Sequence, residues 1–478
     1  MLLVVIAYLV VLLMFSRITA RHTSNDAFFR GERRSPWYLV AWGMVGASIS
    51  GVTFVSVPGM VLTQDMTYLQ MCLGFIPGYL LVALVLLPVY YRLNLTTIYS
   101  YLGRRLGPVS YKTGASFFLL SKLAGTVVKF YLFCILLQRY VLDAMGVPFA
   151  LTMMTAVLFI WLYTRRGGIK TLVWTDSLQT ACMLGALCLI LYRVTVELGF
   201  DSWLSGIGAV MADSHSRVFE WHDWTSRQFF WKQFLSGVFV VVVMTGLDQD
   251  MMQKNLTCKT LREAQKDMTT YGLAFVPVNA LFLSLGVLLM MLAAQRGVAL
   301  PLHGDELLPM FAATGELGQV VVILFVLGIV SASFSTADSA LTALTTSLCV
   351  DLFERPEDER LRRCLHLLVA IVFTFSILLF HKLNSTSLID AVYTLVAYTY
   401  GPLLGLFAFG LLSHRAVRDG LVPLVCVVSP LACYAVDALV TGTTGYRFGY
   451  ELLMLNGLLT YEGLWLSSNR NATFASSQ

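Results

Sequence analysis

The sequence predicts an all-α membrane protein of about thirteen spanning helices, and three observations carry the prediction. Of its 478 residues 57% are hydrophobic and only 13% charged, against the roughly 25% charged residues of an ordinary soluble domain. Mean hydropathy is +0.73, too high for a soluble chain to cover its own surface. Apolar stretches long enough for a bilayer, about 20 residues each, recur along the whole chain. The connections between them alternate without a break between rich and poor in Lys/Arg.

Taken in order, the stretches centre on 2–16, 37–63, 70–91, 112–140, 148–164, 172–195, 229–247, 270–294, 318–350, 364–381, 387–412, 420–440 and 448–467. The first has no basic residues ahead of it and no small-residue cleavage site, so it reads as a retained helix and not as a signal peptide. The run 318–350 is too long for one straight span, so its end should bend or project from the membrane. Basic residues follow the first stretch (Arg17, Arg21, Arg30, Arg33, Arg34) and then occupy every second loop. These loops hold Arg92/Arg104/Arg105/Lys112, Arg165/Arg166/Lys170, Lys254/Lys259/Arg262/Lys266, Arg355/Arg360/Arg362/Arg363 and Arg415/Arg418. The positive-inside rule places these loops in the cytoplasm and the N-terminus outside, in a multi-pass protein of the plasma or inner membrane.

Composition also excludes functions. No soluble domain and no nucleotide-binding loop interrupts the spans, so ATP hydrolysis on this chain does not drive it. No HExxH or GxSxG motif occurs, so an enzyme is not expected. The net charge of +5 sits in short loops, where it sets topology, and no nucleic-acid partner is expected. The nine cysteines form no CxxC pair and lie mostly inside apolar runs, as small hydrophobes do. The partners expected are the lipid bilayer and a small polar solute, with the chain a monomer or a loose homodimer.

Ionisable groups inside spans are costly and mark pathways. The stretch 318–350 crowds hydroxyls at Ser331, Ser333, Ser335, Thr336, Ser339 and Thr342. Ala332, Ser335, Thr336 and Ser339 share one helical face, with Asp338 beside it. Hydroxyl and carbonyl oxygens with few charges suit a small hard cation such as Na+. Asp176 lies about a turn inside its span, and Lys122 and Lys129 lie on one face of theirs. A lysine as deep as Lys129 needs a carboxylate, supplied by the protein or by a solute. The stretch 37–63 is different: Gly46, Ser48, Ser50, Gly51, Thr53, Ser56 and Pro58 disfavour a continuous helix. A broken helix frees backbone carbonyls for ions at the membrane midplane.

Five motifs in order then resemble the sodium/solute symporter family, over about residues 30–415. They are Ser50-Gly51-Val52-Thr53-Phe54 through Pro58-Gly59; Gly167-Gly168-Ile169-Lys170 with Trp174-Thr175-Asp176; Gly246-Leu247-Asp248-Gln249 through Gln253-Lys254 to Glu263-Ala264; Ser335-Thr336 with Asp351; and Gly401-Pro402-Leu403-Leu404-Gly405. Lys254 stands where the family's cytoplasmic signature usually has Arg. The resemblance implies the LeuT-type fold of two inverted five-helix repeats. Its parts would be an extra helix at 1–16, a first repeat at 37–195, a second at 229–412 and two final helices at 420–467.

It implies a main Na+ site from the carbonyls of Gly46, Ile49 and Ala332 and the hydroxyls of Ser335 and Thr336. Gly46 replaces the usual Ala, which is immaterial for a carbonyl ligand. Some members hold a second Na+, whose ligands would here be Asp176, Ser335, Asp338 and Ser339, so one or two Na+ ions are implied. With Asp338 in place of a hydroxyl, two carboxylates would repel unless a cation or a proton separates them. The solute would lie between the broken first helix and its repeat mate, with Ser50, Thr53, Tyr68, Gln70, Lys129 and Tyr393 as candidates. The sugar carriers' aromatic gate is missing at Val241-Val242-Val243-Met244-Thr245, whereas sialic acid carriers place a basic residue close to Lys129. The function implied is Na+-coupled symport of an organic anion such as a sugar acid or monocarboxylate. A neutral sugar, polyol or amino acid, or a non-transporting sensory module of the same fold, is the alternative.

Overall fold

In lipid each apolar stretch must satisfy its own backbone hydrogen bonds, and a helix does this within the segment. The computed structural model describes residues 2–19, 24–383, 388–446 and 448–473. A helix covers every predicted stretch. Among the described residues, seven helices are long and apolar enough to cross a bilayer, and two bent pairs raise this to nine. The other four stretches are helical too, at Leu2–Thr19, Phe149–Gly167, Leu388–Leu412 and Glu451–Ser467.

The bent pairs organise the core. The first joins Trp37–Ser48 to Gly51–Gln64 at 64°. Its break falls at Ile49, which is extended (φ −92, ψ 97). Ser50 restarts the helix as an N-cap, accepting the Thr53 N–H at 3.3 Å. The second joins Phe230–Gly246 to Gln249–Asn255 at 70°. Here Asp248 is extended and its carboxylate accepts the Asp250 N–H at 2.9 Å. Each predicted repeat therefore opens on a broken helix. The 229–247 stretch gave no sign of the second break, because its run of valines continues to within a few residues of it.

Between the breaks runs the hydroxyl-rich helix Gln319–Ser347, fully buried from Ser331 to Ser347 except at Thr336. It belongs to one helical run of 34 residues, Gln319–Leu352. It continues into a wider turn at Leu348–Leu352. The helices Ile169–Glu197 and Pro108–Leu137 pack beside it. Gly46 sets one approach: a Cβ there would lie 2.0 Å from Thr180 Oγ1. The replacement of Ala by Gly thus has a packing reason, beyond the carbonyl that any residue supplies. Among the described residues one pair of strands also forms, antiparallel, Arg415–Val417 with Ser468–Thr473.

Candidate functional site

The two breaks frame a central cavity of about 200 Å³. Ser50 and Thr53 reach it from the first break, Asp248 and Asp250 from the second. Lys122 and Lys129 line it from Pro108–Leu137, and Thr336 and Tyr400 add to the polar wall. Tyr68, Val240 and Tyr450 border both this cavity and a vestibule of about 650 Å³. The vestibule lies toward the Lys/Arg-poor end, with Arg227, Gln228, His303 and Asp305 on its walls. Toward the other end the cavity meets a tightly packed polar layer, in which Asp176, Gln249, Gln253, Lys254 and Asp351 are all at most 2% exposed.

Of the predicted solute residues, Ser50, Thr53, Tyr68 and Lys129 line the cavity. Gln70 does not, and that expectation is corrected. Its amide donates to the Gln228 carbonyl at 2.9 Å and accepts the Glu220 N–H at 3.0 Å, so it moors the 213–228 segment. A polar side chain near a span end was read as a ligand when its partners were loop backbone. The side chain of Tyr393 lies outside the described residues.

The two lysines differ. The Lys122 ammonium lies 2.6 Å from Asp250 Oδ2 and 3.2 Å from Asp248 Oδ2. Tyr400 OH donates to the same Asp248 oxygen at 2.7 Å. Asp248 was read only as part of the cytoplasmic signature and Asp250 was not singled out, because both follow the apolar run and resemble a loop. Lys129 has no ion-pair or hydrogen-bond partner among the described residues. A lysine stem crossing apolar surface places its charge where it can be solvated, and here that place is the cavity.

The residues of the implied main Na+ site lie where the first break meets the hydroxyl-rich helix. At the break the Gly46 carbonyl accepts the Ile49 N–H at 3.1 Å and keeps a second lone pair, while Ile49 itself leaves the helical conformation. Thr336 Oγ1 donates to the Ala332 carbonyl at 3.0 Å and Ser335 Oγ to Asp176 Oδ1 at 2.7 Å, so both hydroxyl oxygens keep lone pairs for a cation. Hard oxygen donors of this kind fit Na+ at this position.

The implied second site is arranged differently. The Lys254 ammonium lies 2.8 Å from Asp176 Oδ2, in a charge contact without hydrogen-bond alignment. Tyr163 OH donates to Asp338 Oδ2 at 2.5 Å and Ser339 Oγ to Oδ1 at 3.3 Å. Sequence reasoning counted Lys254 among the cytoplasmic loop charges, and this is corrected. It is 2% exposed, on a half-helix buried along its whole length from Gln249 to Asn255.

Paired broken helices around a polar cavity at membrane depth define a secondary transporter. The profile of the sodium:solute symporter family matches residues 28–423, and the chain belongs to that family. It is a Na+-coupled secondary active transporter with a LeuT-type fold. It is 25% identical to a sodium/sialic acid symporter of Proteus mirabilis, over 86% of this chain and 83% of that one. It is 24% identical to the human sodium-coupled monocarboxylate transporter 1, over 84% of this chain and 66% of that one. Among solved structures it resembles a Na+-coupled sialic acid symporter in a substrate-bound outward-open state, with a TM-score of 0.83, 18% identity and 98% of both chains covered. It also resembles the nucleobase-cation-symport transporter Mhp1, with a TM-score of 0.57, 15% identity and 93% and 95% covered.

Proposed function

We propose that the chain carries a small organic anion, a sugar acid or monocarboxylate, together with Na+ across the plasma or inner membrane, its N-terminus outside. Lys129 carries this reading: its ammonium is unpaired among the described residues, on a cavity wall that also presents the hydroxyls of Ser50, Thr53 and Thr336. Lys122 is committed to Asp248 and Asp250, so the four charges cancel until a solute arrives. A carboxylate on Lys129 adds one negative charge, and Na+ at Gly46, Ile49, Ala332, Ser335 and Thr336 balances it. Thr336 belongs to both the cavity wall and that cation set, so each ligand steadies a residue the other needs. Coupling of this kind is reciprocal between the two affinities. The relatives named for sialic acid and for monocarboxylates are consistent with an acidic solute.

The test is uptake into proteoliposomes of a panel holding a sialic acid, a short monocarboxylate, a neutral sugar and a neutral amino acid, with and without an inward Na+ gradient. Gradient-driven uptake confined to the acids is expected. Uptake of the neutral solutes alone, or flux indifferent to Na+, would refute the proposal.

A further inference from the structure

We infer that the Lys254 ammonium is the resident cation of the Asp176–Asp338 pocket, so that this chain, read as above as a Na+ symporter, couples to one Na+ and not two. The pocket holds the four side chains that a second Na+ would need, and each is already engaged. Asp176 faces the ammonium with one oxygen and accepts from Ser335 with the other, at 2.8 and 2.7 Å. Asp338 accepts from Tyr163 and from Ser339, at 2.5 and 3.3 Å.

The backbone on both sides of the lysine is held in place. The residue before it is moored by Gln253 Nε2, which donates to the Phe29 carbonyl and to Thr346 Oγ1, both at 2.9 Å. The residue after it is moored by Asn255 Nδ2, which donates to the Ala264 carbonyl at 3.1 Å and to Asp267 Oδ2 at 2.6 Å. At 2% exposure the ammonium has no water to retreat into, and a buried ammonium needs its carboxylate. Na+ on Asp176 would then lie against a like charge in a poorly screening interior. An ammonium supplies the same unit charge as Na+, through a compact head with several donors. Unlike Na+ it is tethered to the chain and is not exchanged across the membrane.

The experiment counts 22Na+ bound per chain at equilibrium by scintillation proximity on purified protein, without solute and so independently of transport. One ion is expected on the wild type, two on Lys254→Ala, and one on Lys254→Met/Asp176→Asn, where the ammonium and the carboxylate it faces are removed together. Two ions on the wild type would overturn the inference even if the variants fail to fold. One ion on a folded Lys254→Ala would overturn it as well. No ion on the wild type would remove the symport reading itself, and this inference with it. In proteoliposomes the same reading expects a Hill coefficient for Na+ near one in the wild type.

Discussion

Lys122 on one helix and Asp250 at the second break meet at 2.6 Å, while Lys129, on the same face of the Lys122 helix, meets no carboxylate among the described residues. That difference separates a charge that holds the fold from a charge that is free to act. It also explains why a small cavity can hold two lysines without becoming strongly cationic.

Removing Lys122 should therefore damage stability. Lys122→Met leaves Asp248 and Asp250 facing each other with Tyr400 as the remaining side-chain donor to Asp248. Breaking a buried pair from one side costs about 3–5 kcal/mol. Thermal melting in detergent should show a large drop for Lys122→Met and a partial recovery for Lys122→Met/Asp250→Asn. A melting curve unchanged in Lys122→Met would show that the contact contributes nothing.

Lys129→Met should leave melting nearly unchanged, because no partner among the described residues is orphaned. Its effect belongs to the solute. A hydrogen bond to a charged group contributes about 1.5–3 kcal/mol, so KM for an acidic solute should rise roughly tenfold to a hundredfold. Lys129→Arg should recover part of the loss. Uptake of a radiolabelled acid with unaltered KM in Lys129→Met would exclude the ammonium from the solute site.

What the sequence disclosed follows from chemistry. Lys129, Thr336 and the Ser50-Gly51 break were legible because charge, hydroxyls and a helix-breaking pair stand out inside an apolar run. The second break was hidden because Gln249–Asn255 is polar, and polarity just past a span reads as water-facing loop. Lys254 was misplaced for the same reason, since its partner Asp176 is distant in sequence and only packing joins them. Gln70 failed the other way, as a polar residue whose partners are backbone groups some 150 residues on.

Gln70→Ala should loosen the 213–228 segment without altering solute KM, since the side chain is absent from the cavity wall. The same segment depends on Glu220. The backbone N–H of His222, then that of Asp223 and the Arg217 guanidinium, hold its carboxyl below the usual glutamate range. A depressed value means that the stabilisation is present above the ordinary glutamate pKa, about 4.3, and is lost as pH falls through the lower folded value. Fluorescence of the exposed Trp221 and Trp224 should show an acid transition below about pH 4.3, absent in Glu220→Gln. A transition that survives in Glu220→Gln would assign it to another group.

Thr336 offers the sharpest test of coupling, because it is the residue shared by the cavity wall and the implied cation set. If both ligands use it, Thr336→Ala should weaken Na+ and solute together. It should also shrink the factor by which each improves the other's affinity, a factor that is equal in the two directions. Lys129→Met should act differently: solute affinity falls, while Na+ affinity measured without solute stays at the wild-type value. Loss of a coupling of about 1.4 kcal/mol would reduce a tenfold mutual enhancement to none. The measurement is solute binding at low and saturating Na+, repeated as Na+ binding at low and saturating solute. A Thr336→Ala protein that keeps the full enhancement in both directions would place the shared contact elsewhere, and Ser335→Ala would then be the next variant to measure.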